Sequence, residues 1–256
     1  MSLRNLAFAA LLLLGRPLCA AELHVVSSGG FAAAYQVLAP EWEKQTGNHL
    51  VITWGPSMGA TPGAVPQRLA RGEPIDVVIM VGYALDKLVA DGKVASDDTV
   101  KLARSGIGVV VRQGSPVPDI STVDGLKQAL LNARSIAYSD SASGVYIERE
   151  MFKQMGIEDQ VRGKARMIPA EPVGQVVARG EAEIGFQQIS ELKPIVGITL
   201  LGPVPQPLQL DTIFSAGVIA GSTEKDVARD LIRFLASPAA ATAIKNSGMD
   251  PFGAAK

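Results

Sequence analysis

Short apolar strands alternate with amphipathic helices along most of the chain, and this alternation limits the fold more than any other feature. The segment IDVVIM, residues 75–80, lacks the regular alternation of polar and apolar residues that a half-exposed strand shows. Strands of this kind are usually buried on both faces, as in parallel sheets that helices cover. Repeated strand–helix units therefore predict an α/β fold in which each sheet is mostly parallel and flanked by helices.

The number of strand–helix units is large enough for two lobes with a ligand cleft between them. A second series of units begins with the strand GIGVVVRQG, and no low-complexity linker separates it from the first series. We therefore expect the chain to cross between the lobes through ordinary strands, first near Leu102–Val111 and again near residues 205–220. The predicted division is residues 22–104 and 218–256 for lobe 1, and residues 105–217 for lobe 2.

Residues 1–21 have the pattern of a secretory signal peptide. Arg4 precedes the apolar core LAFAALLLL, which is too short to span a bilayer, and LCAA supplies small residues for cleavage after Ala20 or Ala21. We expect export to the periplasm and removal of this segment. Since the single cysteine, Cys19, is removed with it, the remaining chain is expected to have no disulfide, thiolate nucleophile or cysteine metal site.

The charge balance excludes several classes of partner. The formal net charge is −1, so no basic excess indicates nucleic acid, and no polybasic segment indicates a membrane surface. His24 and His49 both lie in predicted strands, and we predict no metal site from them. We expect a monomer that binds a small anion through local groups rather than through its overall charge.

Two turns share one pattern of strand, Ser/Gly-rich turn and helix: VVSSGGF at residues 25–31 and AYSDSASGVY at residues 137–146. In open α/β sheets, ligands bind beyond the carboxyl ends of the strands, where helices begin. Each helix start leaves about four amide N–H groups unpaired and carries roughly half a positive charge. If the lobes face each other, two helix starts would close on one anion without any Lys or Arg.

A third turn, WGPSMGATPGA at residues 54–64, offers further small polar residues ahead of a helix. Serine and glycine are also ordinary turn and cap residues, which is the alternative interpretation of each turn taken alone. The predicted ligand-binding residues are Ser27, Ser28, Gly29, Gly30, Ser57, Met58, Arg104, Ser105, Ser141, Ala142, Ser143, Gly144 and Gln187.

Motifs spread over residues 22–252 resemble the type II periplasmic solute-binding fold, and in particular the periplasmic molybdate-binding proteins. They include SSGGFAAAYQVLAPEWEKQTG, GEPIDVVIM, GIGVVVRQGSP, SGVYIEREMFKQMGI, VARGEAEIGF and SPAAATAIKNSGM, in the order of that family. The resemblance implies that Ser28, Ser57 and the turn Ala142–Ser143 hold the oxyanion.

Two departures from this family favour an organic acid over molybdate. The family has a tyrosine that donates to the oxyanion, whereas the matching segment IGFQQISEL has Phe186, Gln187 and Gln188. Arg104 and Ser105 lie at the predicted crossing between the lobes, where a guanidinium could form paired hydrogen bonds with a carboxylate. The alternative is that Arg104 is a solvated surface charge.

Two classes of function follow from the resemblance. One is a receptor that delivers a molybdate-like oxyanion or an organic acid to the permease of an ABC importer. The other is an enzyme of the aconitate isomerase branch, which is similar to the same family and needs a base, an acid and charge stabilisation but no cofactor. We expect the isomerase, with catalytic residues Arg104, Tyr146 and Glu148 and with Asp140 and Tyr83 as further proton carriers.

Overall fold

The computed structural model describes residues 20–169 and 171–252, so the predicted signal peptide lies outside the described residues except for Ala20 and Ala21. The strands are β1 (Glu22–Ser27), β2 (His49–Trp54), β3 (Val77–Val81), β4 (Val94–Ser105), β5 (Ile107–Arg112), β6 (Ile136–Ser139), β7 (Ala165–Ile168), β8 (Ile184–Gln188), β9 (Ile198–Pro203), β10 (Thr212–Ile219) and β11 (Asp250–Pro251).

Helices flank these strands, and a π-helical turn and a 3₁₀ turn extend two of them. The α-helices are α1 (Gly29–Thr46), α2 (Val65–Ala70), α3 (Gly82–Ala90), α4 (Val123–Asn132), α5 (Ala142–Tyr146), α6 (Phe152–Gln154), α7 (Glu158–Val161), α8 (Val173–Ala178), α9 (Ile189–Leu192), α10 (Lys225–Leu235) and α11 (Ala241–Asn246). The π turn, Ile147–Met151, joins α5 to α6, and the 3₁₀ turn, Pro238–Ala240, precedes α11.

The strands form two sheets, one for each lobe. The first sheet has the order β11-β4-β10-β3-β1-β2, and the second has the order β7-β6-β8-β5-β9. Each sheet has apolar residues packed on both of its faces, as predicted for the strand at residues 75–80. The two-lobed α/β architecture predicted from the sequence is confirmed.

Each sheet mixes parallel and antiparallel pairs, which corrects the prediction of mostly parallel sheets. Strand β1 runs parallel to β2 and β3, and β6 runs parallel to β7 and β8. The strands next to the crossings, β4, β5, β9 and β10, pair antiparallel. They do so because each of them enters or leaves a lobe at the crossing and not through a strand–helix–strand connection.

The two crossings between the lobes lie close together. Strand β4 ends at Ser105 and β5 begins at Ile107, and we propose that the chain first crosses between the lobes at the single residue between them. Strand β10 pairs along its length with β3 and β4 of the first sheet. The predicted lobe boundary between residues 217 and 218 would cut this strand, and we propose the return crossing at residues 204–211 instead.

Side chains of glutamine hold the two crossings together. The Gln209 amide accepts from the Ile107 backbone N–H at 2.9 Å and donates to the Ile107 carbonyl at 3.0 Å. The Gln188 side chain is 2.8 Å from the Thr212 hydroxyl, at the first residue of β10. These bonds connect β5 and β8 of the second sheet to the segment that returns to the first.

The sequence of α1 explains why this helix covers the first sheet. Phe31, Tyr35, Leu38 and Trp42 follow at helical spacing and are all buried in the core of lobe 1. The helix continues through Pro40, where the sequence predicts a local conflict. None of the helices within the described ranges combines the length and the hydropathy that a membrane-spanning helix needs.

Candidate functional site

A cleft of about 570 Å³ lies between the two lobes. Its walls come from the ends of strands and the starts of helices on both sides, as expected for open α/β sheets. The polar residues that line it are Ser28, Ser57 and Thr61 from lobe 1, and Ser139, Asp140, Ser141, Glu171, Gln187, Gln188 and Glu191 from lobe 2.

Ser28 is the residue at which β1 turns into α1. Its backbone is extended, its N–H donates to the Ile79 carbonyl at 2.8 Å, and its side chain makes no capping hydrogen bond to the helix. The hydroxyl is buried, lines the cleft and has no hydrogen-bond partner among the described residues. Because a buried hydroxyl normally has a partner, this one is suited to bind a ligand.

Ser57 lies in the same wall but is tied to the protein. Its hydroxyl accepts from the Val81 backbone N–H at 2.9 Å, just before α3 begins. The neighbouring Met58 also lines the cleft, and its sulfur is 3.7 Å from the hydroxyl of Tyr83, a side chain that is mostly exposed. The Ser57 hydroxyl keeps its own proton to donate, so it can still contact an anion.

The opposite wall is built around three serine hydroxyls at the start of α5. The Ser139 hydroxyl is 2.8 Å from that of Ser141 and 3.2 Å from that of Ser143. A side chain at Gly144 would meet the Ser139 carbonyl at 1.6 Å, so glycine alone allows the helix to pack against β6 so closely. The π turn that follows extends the helical run from Ala142 to Gln154.

Glu191 of α9 brings a carboxyl from lobe 2 against the start of α1 in lobe 1. A methyl group built on Gly29 would lie 2.5 Å from the Glu191 Oε1 atom. Burial raises the pKa of the Glu191 carboxyl to about 7, and the nearby Asp140 charge acts in the same direction. Hydrogen bonds with the Gln187 side chain and the Gln188 backbone partly oppose this rise in pKa.

Gln187 is oriented by the protein toward this carboxyl. Its side-chain oxygen accepts from the Val173 N–H at 2.8 Å, at the first residue of α8. The amide nitrogen is therefore left as the donor to Glu191, which fixes the direction of that hydrogen bond.

The charged side chains of the cleft are carboxyls. Asp140, Glu171 and Glu191 line it, and none of its described lining residues is Lys, Arg or His. Glu171 is paired with Arg179 at 2.6 Å. The groups of the lining that could attract an anion are therefore helix starts and amide N–H groups, as the sequence predicts for an anion site without cations.

Most of the predicted ligand-binding residues line the cleft. Those that do are Ser28, Gly29, Gly30, Ser57, Met58, Ser141, Ala142 and Gln187, and those that do not are Ser27, Arg104, Ser105, Ser143 and Gly144. Ser27, Ser105 and Ser143 are buried, and Gly144 packs against Ser139.

The three predicted catalytic residues lie outside the lining of the cleft. Arg104 is half-exposed on β4 and is 3.5 Å from Asp250, on the surface of lobe 1. The Tyr146 hydroxyl is buried and donates to the Leu208 carbonyl at 2.7 Å. Glu148 is exposed and accepts from the Tyr138 hydroxyl at 3.1 Å. Their positions do not support the catalytic roles predicted from the sequence.

Sequence reasoning missed Glu191 as a site residue. It lies in the segment IGFQQISEL, where the tyrosine of the molybdate-binding proteins is absent, and it follows the strand end by three residues. An acidic residue shortly after a cleft-facing strand end was the available signal. Its contact with Gly29 depends on how the two lobes pack, which no local pattern indicates.

The fold and the cleft define the chain as a two-lobed solute-binding protein of the type II periplasmic class. It belongs to the family of bacterial extracellular solute-binding proteins, whose model matches residues 23–250. Its relatives include an aconitate isomerase of a Pseudomonas species, 53% identical over 253 residues that cover 97% of each chain.

Solved structures of anion-binding proteins share the fold. The periplasmic molybdate-binding protein of Azotobacter vinelandii matches with a TM-score of 0.70 and 23% identity, over 89% of this chain and 98% of that one. The sulfate-binding protein of Mycobacterium tuberculosis matches with a TM-score of 0.68 and 19% identity, over 91% and 87% of the two chains.

Proposed function

We propose that the protein is an aconitate isomerase, which interconverts trans-aconitate and cis-aconitate in the cleft between its lobes. The observation that carries this proposal is the 53% identity to an aconitate isomerase along almost the full length of both chains. Identity at that level over 97% of each chain leaves few insertions that could reshape the cleft.

The cleft has the groups that this reaction needs. The isomerisation moves one proton between two allylic carbons, so it requires a group that accepts and returns a proton. It also requires stabilisation of the negative charge that develops on the substrate when the proton leaves. Glu191 can carry a proton near neutral pH, and the start of α1 with the Ser28 hydroxyl can meet the charge.

The starts of α1 and α5 approach the ligand space from opposite walls, through Gly29, Gly30 and Ala142. Amide N–H groups at such positions bind carboxylates well, because they lack partners within their helices. A tricarboxylate offers a separate carboxylate to each wall. This arrangement supports a polycarboxylate substrate even though the cleft has no described basic side chain in its lining.

The decisive experiment is a turnover assay. The purified protein without residues 1–21 is incubated with trans-aconitate, and the appearance of cis-aconitate is followed by chromatography. We expect conversion toward the same equilibrium ratio from either isomer. The proposal fails if neither isomer is converted while the protein is folded by circular dichroism.

A solute-binding receptor for an ABC importer is the second candidate. The family to which the chain belongs favours it, and so do the serine hydroxyls of Ser28, Ser57 and Ser141, which could surround an oxyanion. If this candidate is right, molybdate or an organic acid raises the melting temperature at micromolar concentration and no aconitate isomer is converted.

We further propose that the protein acts in the periplasm as a monomer. The signal-peptide pattern of residues 1–21 and membership of a family of extracellular proteins support this location. Mass spectrometry of the protein purified from the periplasm tests it, with a mature chain expected to begin at Ala21 or Glu22.

A further inference from the structure

We infer that the Glu191 carboxylate is the catalytic base that carries the proton between the two carbons of the substrate. This inference rests on the proposed function and assigns a residue to its central step. It starts from position: Glu191 is the acidic side chain of the cleft that reaches across it, from α9 of lobe 2 to Gly29 at the start of α1.

The chemical step is balanced without any co-reactant. The ionised Glu191 removes a proton from the methylene carbon, and the electron pair of that C–H bond joins the adjacent double bond and carboxylate. The protonated Glu191 then returns the proton to the former vinylic carbon, where a new C–H bond forms. The double bond has moved by one position, and Glu191 is a carboxylate again.

The surroundings of Glu191 suit this role better than those of the other two acidic residues that line the cleft. Glu171 is neutralised by its ion pair with Arg179 at 2.6 Å. Asp140, in the turn after β6, contributes a negative charge that makes the Glu191 carboxylate a stronger base. A base with a raised pKa removes a proton from carbon faster than an ordinary carboxylate does.

The hydrogen bonds around Glu191 also hold it ready. The Gln187 amide, fixed by the Val173 N–H at 2.8 Å, donates to the carboxylate and limits its rotation. Gly29 leaves room for the carboxylate next to the first turn of α1. The substrate carboxylates bound at that turn would place the reacting carbons beside the Glu191 oxygens.

The test compares the Glu191→Gln variant with the wild type in the turnover assay. We expect kcat to fall at least about 100-fold, the usual contribution of general acid–base catalysis. KM should not rise, because the variant removes a negative charge from a site that binds an anion. Glu158→Gln, which changes an exposed carboxyl of lobe 2 near Arg162, is the matched control and should keep the wild-type kcat.

Two readouts separate a catalytic role from a structural one. Propane-1,2,3-tricarboxylate, a saturated analogue with no allylic proton, should raise the melting temperature of Glu191→Gln at least as much as that of the wild type. If Glu191→Gln does not fold, Glu191→Asp is tested in its place. We expect a kcat clearly below that of the wild type, because the shorter side chain withdraws the carboxylate from the substrate.

The outcomes distinguish this inference from the proposed function. If the wild type does not convert aconitate, the proposed function fails and this step fails with it. If the wild type is active and the kcat of Glu191→Gln stays within about 5-fold of the wild-type kcat, the role of Glu191 is refuted. Loss of a general base lowers kcat far more than that. The proposal that the protein is an aconitate isomerase is unaffected by this outcome. An unchanged kcat in Glu191→Asp would also refute the role of Glu191.

Discussion

Ser28 shows how a common turn residue becomes a binding group. Its hydroxyl is buried in the cleft wall without a partner, although serines at helix starts usually cap the helix through their side chains. A hydrogen bond from this hydroxyl to a carboxylate would be worth about 1.5–3 kcal/mol.

We therefore predict that Ser28→Ala lowers kcat/KM for trans-aconitate by about 10- to 100-fold. The free energy of unfolding should change by less than about 0.5 kcal/mol, because no hydrogen bond within the protein is lost. Steady-state kinetics and thermal unfolding measure the two quantities. Ser237→Ala is the control, since it also removes a buried hydroxyl without a partner, but outside the cleft lining.

Glu191 makes stability depend on pH in a direction opposite to that of most carboxyls. Its pKa is about 7 in the folded protein, against 4.5 for an ordinary glutamate carboxyl. Well below pH 4.5 the Glu191 side chain is neutral in both the folded and the unfolded state, so its burial costs no stability. Between about pH 4.5 and 7 the unfolded chain releases this proton while the folded protein keeps it, so stability falls across this range, and the loss is complete above pH 7, where the folded protein holds the charge.

Glu191→Gln should remove this loss. We predict that the variant is more stable than the wild type by roughly 1–3 kcal/mol at pH 8.5, and that the difference becomes small near pH 4.5. Thermal unfolding across this pH range measures the effect. Parallel pH curves for the wild type and the variant would show that the carboxyl is not desolvated in the folded protein.

The candidate site was predictable where it depends on local sequence and not where it depends on side-chain direction. The turn residues Ser28 and Ser57 could be predicted because Ser/Gly turns at strand ends are recognisable on their own. Arg104 could not be judged, because neighbouring residues of a strand point to opposite faces and the sequence leaves the face unassigned. Glu191 could not be identified from local sequence, because its place in the site depends on how one lobe packs on the other.

At the level of elements, the strands with continuous apolar runs were predicted and the polar ones were not. Strand β4 carries Asp97, Asp98 and Lys101, and its outer neighbour is only the two-residue strand β11. A strand near the edge of a sheet needs few apolar residues, so its composition resembles that of a loop. Strand β7 was missed for the same reason, since it lies at the edge of the second sheet.

The close packing of α5 on β6 gives a prediction at this scale. Gly144→Ala places a methyl group 1.6 Å from the Ser139 carbonyl, so the helix start must move away from the strand. We expect a loss of about 2–4 kcal/mol in the free energy of unfolding, together with weaker binding of trans-aconitate.

Gly163→Ala is the matched control for this substitution. Gly163 is exposed and has no atom within 4 Å of the added methyl group. The free energy of unfolding of the Gly163→Ala variant, measured by urea denaturation, should stay within about 0.5 kcal/mol of the wild-type value. Equal losses in the two variants would contradict the close packing of α5 on β6.

For the whole molecule, ligand binding between the lobes should stabilise both of them together. We predict that trans-aconitate at about 100 times its Kd adds about 2.7 kcal/mol to the free energy of unfolding. For a chain of this size, this corresponds to a rise of about 5–10 °C in melting temperature. Acetate at the same concentration should produce no such rise, and an equal effect of both would indicate a general salt effect.

The division into two lobes was predicted from the sequence because strand–helix units outnumber those of one sheet. The mixture of parallel and antiparallel strand pairs was not predicted. The direction of a strand depends on whether the chain reaches it from the same lobe or from the other lobe. The buried part of strand β10 is mostly apolar, with Thr212 and Ser215 as its polar residues, and nothing in its composition tells which sheet it joins.

The arrangement of strands has a consequence for biosynthesis. The second sheet is built from strands between Ile107 and Pro203, whereas the first sheet needs β10 between β3 and β4. On the ribosome, all five strands of the second sheet are therefore made before the first sheet can close. Lobe 2 therefore has all of its strands before β10 has been made, while the earlier-made β1, β2 and β3 need β10 to join β4 in the first sheet.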